Sequence, residues 1–539
     1  MSMNFSAVRA TTLILTTAIL ISANPAFTQG FRVGTHIKVT GGTIRGEAMD
    51  DGLRAWQGVP FAAPPVGDLR WRAPQPVVPW DGVLDTTEPS ASSIQAAGLP
   101  GGFYSRPLGE VSEDCLYLNV WSRAKSTDDK LPVMYWIHGG GLTAGSGTGY
   151  DGAFLTKKGV VLVTVNYRLG ALGFLSHSEL SAEDPNGVSG NQGIADQIAG
   201  LEWVRDNIAQ FGGDPDNVTI FGESAGSLSV SMVHASPLAK GLFHRAIGES
   251  GGAFQPMTHR TEARSYSPSA EEIGDQFAKI LLGSDASGSV LDKLRALPAE
   301  RILAAQAAIP YDRLGIIDGR VIHKEIAQIF IDGEQADVPL LTGSNGDEGT
   351  TFLPYFQPAF GKGVKGFKTY SAITLPETAE EITKVYPASN DAEADLSFGH
   401  LFADVLFTYP QRVWAAGMGS VKSPAYLYHF TWEPPVKDTK KYGSFHAAEI
   451  GYIFGSLDLW DAKPTKADEE FSKTISDIWV QFAHTGNPNV NGLPEWKPFT
   501  AENQAYMELG KKITPKTNLR MAEIGLIDEA FKKRRAGEK

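Results

Sequence analysis

Apolar residues along this chain fall into short unbroken runs set apart by polar or glycine-rich turns. Residues 131–138 (LPVMYWIH) and 159–167 (GVVLVTVNY) are two such runs, rich in β-branched residues, and each predicts a strand buried on both faces. The period changes between 193 and 211, where Ile194, Ile198, Leu201, Val204 and Ile208 recur at steps of three and four, which predicts an amphipathic helix. Further runs at 217–221, 244–249, 338–342 and 425–431 predict more buried strands, with helical segments between several of them. Strands alternating with helices in this way imply a mostly parallel central sheet flanked by helices on both faces, with right-handed crossovers. Residues 521–539 read as a C-terminal surface helix and a solvated tail around the basic cluster at 532–535. The sequence carries no internal repeat or clear linker, so residues 30–539 are expected to form one α/β domain with loop and helical insertions.

The first 29 residues follow another pattern. A lone Arg9 precedes an apolar stretch at 10–22, and the small residues Ala23, Ala26 and Thr28 follow, the three parts of a secretory signal. The stretch is shorter than the roughly 20 residues that span a bilayer, so a stable membrane span is not expected. Cleavage near residues 26–30 would leave the remaining chain in the periplasm or outside the cell.

Composition narrows the partners. With 42% hydrophobic and 20% charged residues, the 539-residue chain has the make-up of a folded globular protein. Its 48 Lys and Arg stand against 61 Asp and Glu, and the net charge of −13 repels phosphate backbones, so nucleic acid is not an expected partner. Cys115 is the only cysteine, which excludes an intrachain disulfide and any multi-cysteine metal site.

Candidate chemistry begins at Ser224. Residues 222–226 (GESAG) fit the G-x-S-x-G nucleophile elbow and lie where that motif must, after the run VTIF and before the apolar helical run LSVSMVHA. A strand turning abruptly into a helix holds the serine in strained backbone geometry, and the flanking glycines remove side chains that would collide there. The N–H of Ala225, at the start of the helix, can then point at a developing oxyanion. A second motif, His138-Gly139-Gly140-Gly141 at the end of MYWIH, is of the type that offers backbone donors to a tetrahedral intermediate, with His138 itself read as structural. A serine hydroxyl needs a histidine base and a carboxylate to orient it, in the chain order Ser, acid, His. Asp347 and Glu348 sit together in a glycine-flanked turn, where either carboxylate could serve. His400, His429, His446 and His484 follow, and His446 stands in a loop before an apolar helical run.

These motifs resemble the type-B carboxylesterase and cholinesterase family of α/β-hydrolases. The resemblance extends through FAAPPVGDLRWRAPQP at 61–76, SEDCLYLNVW at 112–121, NYRLGALGF at 166–174 and GNQGIADQIAGLEWVRDNIAQFGGDP at 190–215. It continues through SNGDEGTTF at 344–352, FHAAEIGYIFG at 445–455 and FAHTGNPN at 482–489. It implies a Ser224-His446-Glu348 triad, an oxyanion hole from the amides of Gly140, Gly141 and Ala225, and Ser250 and Glu449 as support behind the triad. It requires no metal and no cofactor. The implied activity is that of a secreted serine carboxylic-ester hydrolase, a monomer or small homo-oligomer, acting on a small-molecule ester through an acyl-enzyme. An amidase, thioesterase or lipase with the same triad, or a non-catalytic binding member of the fold, are the alternatives.

The chain departs from the family in ways that bear on substrate. Where many relatives pair the cysteine of SEDCL with an upstream cysteine, Ser93 takes that place and leaves Cys115 unpaired. Residues 81–120 contain no tryptophan, and Ser105 stands roughly where cholinesterases hold the choline cation on a tryptophan face, so choline esters are not expected. Leu142 follows the three glycines where relatives often carry an aromatic. Phe103, Tyr104 and Arg106 are expected to line the entrance and to favour apolar bulk or negative charge. Phe356, Phe360 and Phe367, with Tyr355, suit either an aromatic pocket wall or packing against the body.

Overall fold

The computed structural model describes residues 31–95, 108–283, 288–306, 315–460 and 463–537, together with Met1. The secretory-signal reading of 1–29 and the residues Phe103, Tyr104, Ser105 and Arg106 lie outside these described residues.

Among the described residues an 11-stranded sheet organises the chain. Its strands in chain order are β1 (Glu47–Ala48), β2 (Arg54–Pro60), β3 (Tyr117–Ser122), β4 (Leu131–Ile137), β5 (Val161–Val165), β6 (Gly213–Glu223), β7 (Arg245–Glu249), β8 (Leu340–Asn345), β9 (Ala425–Phe430), β10 (Ala505–Leu509) and β11 (Ile513–Thr517). The spatial order is β11-β10-β9-β8-β7-β6-β4-β5-β3-β2-β1. Every pair from β10 through to β5 is parallel, and both margins of the sheet are antiparallel. The helices used below are α1 (Gln192–Asn207), α2 (Ala225–Ala235), α3 (Leu353–Phe360), α4 (Asp391–Ala403), α5 (Tyr409–Gly417), α6 (Ala448–Phe454), α7 (Lys466–Thr485) and α8 (Met521–Ala536). No described helix is long and apolar enough to cross a membrane.

The two-residue period of a strand explains why these runs are apolar throughout. On β4, Val133, Tyr135 and Ile137 enter one hydrophobic cluster while Met134 and Trp136 enter another. β5 divides in the same way, with Val161, Val163 and Val165 on one face and Leu162 on the other. The first cluster is closed by α1, through Ile194, Ile198, Leu201 and Val204, and by α2. The second is closed by α6 and α7, through Ile450, Ile453, Ile475 and Trp479. The expected mostly parallel sheet with helices on both faces is therefore what forms. The predicted helix at 193–211 ends at Asn207 and tightens into a 3-10 turn at Ile208–Phe211 before Gly212, whose φ is 78°. Its polar positions are not all solvated: Asp196 is fully buried, where its carboxylate takes two hydrogen bonds from the Arg168 guanidinium, 2.8 and 2.6 Å.

Strand register brings the chemistry-bearing residues to one level. β6 and β7 pair with Glu223 opposite Glu249, and β7 and β8 pair with Glu249 opposite Gly343. The chain leaves these strands together at their C-terminal ends, where open α/β sheets bind their ligands. There the Ser224 N–H donates to the Glu249 carbonyl and the Ser250 N–H to the Gly343 carbonyl, both at 2.8 Å.

Candidate active site

Ser224 occupies the single residue between β6 and α2, with φ 57° and ψ −122°, a conformation costly for any residue with a side chain. The glycines on either side are required by the end of β4. A Cβ added to Gly222 would lie 2.5 Å from the Ile137 carbonyl oxygen, and one added to Gly226 only 2.0 Å from the same atom. The His138-Gly139-Gly140-Gly141 turn then lies directly against the elbow, since a Cβ on Gly139 would come within 3.2 Å of the Ser224 Cβ. Gly140 and Gly141 have φ of 105° and 64°, and the Gly140 carbonyl accepts from the amides of Thr143 and Ala144, which folds the turn back on itself. Ala225 is the first residue of α2, where no carbonyl inside the helix is available to its N–H.

The neighbouring carboxylates 347 and 348 separate sharply. Glu348 Oε2 lies 2.6 Å from His446 Nδ1, and its Oε1 accepts the Asn345 N–H at 2.7 Å. Asp347 instead accepts from the Ser444 N–H and hydroxyl at 3.0 and 3.1 Å, which fixes the loop that carries His446. Asn345 ties the two ends together, because its side-chain amide donates both to the Phe445 carbonyl at 2.9 Å and to Glu449 Oε2 at 2.5 Å. His446 Nε2 lies 3.1 Å from Glu223 Oε1, and its hydrogen bond to Ser224 is not formed. The ring is held between aromatics, with Phe407 stacked on it at 4.4 Å and Phe352 tilted against it at 5.0 Å. Of the other histidines after Glu348, His429 is half-buried on β9, and His400 and His484 stand on α4 and α7.

Four glutamates converge here: Glu223, Glu249, Glu348 and Glu449, all buried. Like charges this close in a dry pocket cannot all ionise. Burial, then the charges of Glu449, Glu348 and Glu249, push the Glu223 carboxyl well above the usual range. Glu249 is raised in the same way by burial and by Glu449, although its Oε1 accepts from the Trp479 indole N–H at 2.7 Å. Glu449 is pushed up to about 7 by burial and by Glu348, against the opposing hydrogen bond from Asn345. Ser250, at φ 54°, donates its hydroxyl to Glu449 Oε1 at 3.3 Å.

The profile of the carboxylesterase family matches residues 33–526. A para-nitrobenzyl esterase of Bacillus subtilis is 36% identical over 88% of this chain and 94% of its own length. A fumonisin B1 esterase of Sphingopyxis macrogoltabida is 34% identical over 87% of this chain and 85% of its own. Carboxylesterase 1D of Rattus norvegicus is 34% identical over 93% of both. This chain belongs to the carboxylesterase family. It is an α/β-hydrolase, and it hydrolyses carboxylic esters.

The remaining expected residues of this carboxylesterase take varied places. Leu142, at φ 56°, is 1% exposed and packed in the larger hydrophobic cluster, with its carbonyl accepting the Gly170 N–H at 2.7 Å. Cys115 is unpaired and buried in that cluster, and burial pushes its thiol up to about 12. His138 is buried, stacked on Tyr167 at 4.4 Å, with burial lowering its ring to about 4. Phe356 and Phe360 of α3 are half-buried, and Phe356 packs on Phe402 at 4.7 Å. Sequence reasoning passed over Asn345, Glu223, Glu249, Phe352 and Phe407. Asn345 and Glu223 lie inside motifs already singled out, so their neighbours drew attention from them. Phe407 sits 39 residues upstream of His446 and carries no local signal.

Proposed function

We propose that ester hydrolysis runs through Ser224 as nucleophile, His446 as base and Glu348 as the carboxylate that orients it. The 2.6 Å contact between Glu348 and His446 Nδ1 carries this reading: with Nδ1–H committed to the carboxylate, Nε2 is left as the basic nitrogen. In this reading the ring turns from Glu223 toward the elbow to bring Nε2 to the Ser224 hydroxyl, and such bonds often tighten only when substrate is bound. His446 takes the Ser224 proton as the oxygen attacks the ester carbonyl. The alcohol departs with that proton, and water activated by the same nitrogen then releases the acid from the acyl-enzyme. The amides of Gly140, Gly141 and Ala225 stabilise both tetrahedral intermediates, with Ser250 and Glu449 bracing the loop of His446 from behind.

The decisive experiment pairs p-nitrophenyl esters from acetate to palmitate with Ser224→Ala and with intact-mass detection of the acyl-enzyme. Loss of the nucleophile is expected to remove on the order of 10⁶ in turnover. A Ser224→Ala enzyme that keeps its rate, or a trapped acyl group on another residue, overturns the assignment. The same reading takes residues 30–539 as one catalytic domain, and 1–29 as an export signal with a mature N-terminus near residues 26–30, checked by sequencing the secreted protein. It takes Leu142, Phe103, Tyr104 and Arg106 as pocket residues. Arg106→Ala is expected to slow acidic esters more than neutral ones, and equal losses on both count against the charge preference.

A further inference from the structure

Between α4 and α5 the chain makes a π-helical turn, Asp404–Thr408, a rare geometry that adds a residue to the turn and is frequent at functional sites. The widened turn sends two buried side chains to different neighbours. Asp404 Oδ2 accepts from the Tyr386 hydroxyl at 2.5 Å and from Arg520 Nε at 2.7 Å, and forms an ion pair with Arg520 Nη2 at 2.6 Å. Arg520 is itself held over the Tyr386 ring at 5.6 Å and stands in the left-handed region, φ 45°, at the start of α8. Three residues after Asp404, Phe407 stacks on His446 with an interplanar angle of 28°. The rest of the turn is fastened on the other side: the Val405 carbonyl accepts from Gln255 Nε2 at 3.2 Å, and Thr408 Oγ1 from the Ser344 hydroxyl at 3.3 Å. Phe407 also packs on Phe352 at 5.8 Å, the second ring against His446.

We propose that this turn positions the histidine: the Asp404–Arg520–Tyr386 clamp fixes the backbone from which Phe407 holds the His446 ring, making Phe407 and Arg520 positioning residues for hydrolysis. Glu348 holds His446 at one atom, Nδ1, about which the ring can still tip; a ring stacked on its face opposes tipping out of plane and leaves the in-plane turn toward Ser224 free. The clamp therefore couples the start of the C-terminal helix to the basic nitrogen through one side chain. The inference rests on His446 being the base, and the controls separate the two.

The test uses p-nitrophenyl butyrate hydrolysis, melting temperature and the rate of Ser224 phosphonylation by an organophosphonate in wild type, Phe407→Leu, Phe407→Tyr, Arg520→Gln, the double variant Phe407→Leu/Arg520→Gln, and His446→Gln. Phe407→Leu is expected to lower kcat by on the order of tenfold to a hundredfold, with KM within about threefold and phosphonylation slowed in parallel. Phe407→Tyr, which keeps the ring, is expected to stay near wild type. Arg520→Gln is expected to lower kcat in the same direction, and the double variant to be no slower than Phe407→Leu alone. Wild-type kcat in Phe407→Leu, a change confined to KM, or independent multiplying effects in the double variant would overturn the proposal. If Arg520→Gln does not fold, Phe407→Leu and Phe407→Tyr still decide the role of the ring. Activity retained in His446→Gln would instead overturn the assignment of the base.

Discussion

At the scale of single residues, the clearest result is the division of labour between Asp347 and Glu348. The turn after β8 points one carboxylate at a ring nitrogen and the next at the Ser444 backbone. Glu348→Gln is expected to keep the fold but favour the wrong imidazole tautomer, lowering kcat on the order of 10⁴-fold. Asp347→Asn can still accept from Ser444 and is expected to stay within about tenfold of wild type. Steady-state kinetics on the two variants checks both, and comparable losses would mean that the carboxylates share the role. The sequence alone left the pair unresolved, because adjacent residues in a turn can point either way; the family resemblance chose Glu348. Side-chain direction in a turn depends on backbone angles that a string of residue types does not encode. Glu223 was passed over for a related reason, since what raises its carboxyl is burial together with three carboxylates from distant parts of the chain.

At the scale of elements, the parallel centre was legible and the margins were not. Strands buried on both faces must be apolar throughout, so β4 to β9 announce themselves as runs. β2 and β3 carry mixed residues such as Arg54, Gln57 and Asn119, and β11 contains Pro515, which suits an edge strand. The turn between α4 and α5 was illegible altogether, because widening by one residue leaves no mark in hydrophobic spacing over five positions. The elbow behaves as its motif implies. Gly226→Ala pushes a methyl into the Ile137 carbonyl at 2.0 Å, atoms of a central strand that cannot give way. We expect a loss of about 1–3 kcal/mol from overpacking, measured by urea unfolding, with hydrolysis falling further because Ser224 is displaced. A fully stable and active Gly226→Ala enzyme would show that the elbow can relax.

Across the whole molecule, two populations of buried groups titrate against each other. His138, His234 and His429 are each lowered to about 4 by burial. At His234 the geometry acts in the same direction: its Nδ1 accepts from the Trp414 indole N–H at 3.2 Å, and protonation would set donor against donor. These rings stay neutral in the fold while the unfolded chain takes up protons below about 6.5, so their contribution to stability is lost as pH falls from about 6.5 to about 4. Glu449 acts in the opposite sense. Its folded carboxyl, near 7, keeps a proton that the unfolded chain releases from about 4.5, so stability is lost as pH rises across that window and regained on acidification. Glu449→Gln should therefore make stability fall more steeply between pH 7 and 4.5, and His234→Gln should make it fall less steeply. Urea midpoints at pH 7, 6 and 5 test this, and parallel curves for wild type and both variants would contradict it.

The lone thiol also gives the molecule an internal clock. Cys115 is 1% exposed within the larger hydrophobic cluster, and a protonated thiol shielded from solvent does not react with alkylating reagents. Its modification must wait for the surrounding structure to open, so the labelling rate under slow-reagent conditions counts how often the core of the native enzyme comes apart. Added denaturant should raise that rate in proportion to the opening population, while hydrolysis of saturating ester continues unchanged until the chain unfolds. Labelling that proceeds at the rate of a free peptide thiol in native buffer would mean that this part of the core opens far more often than its packing implies.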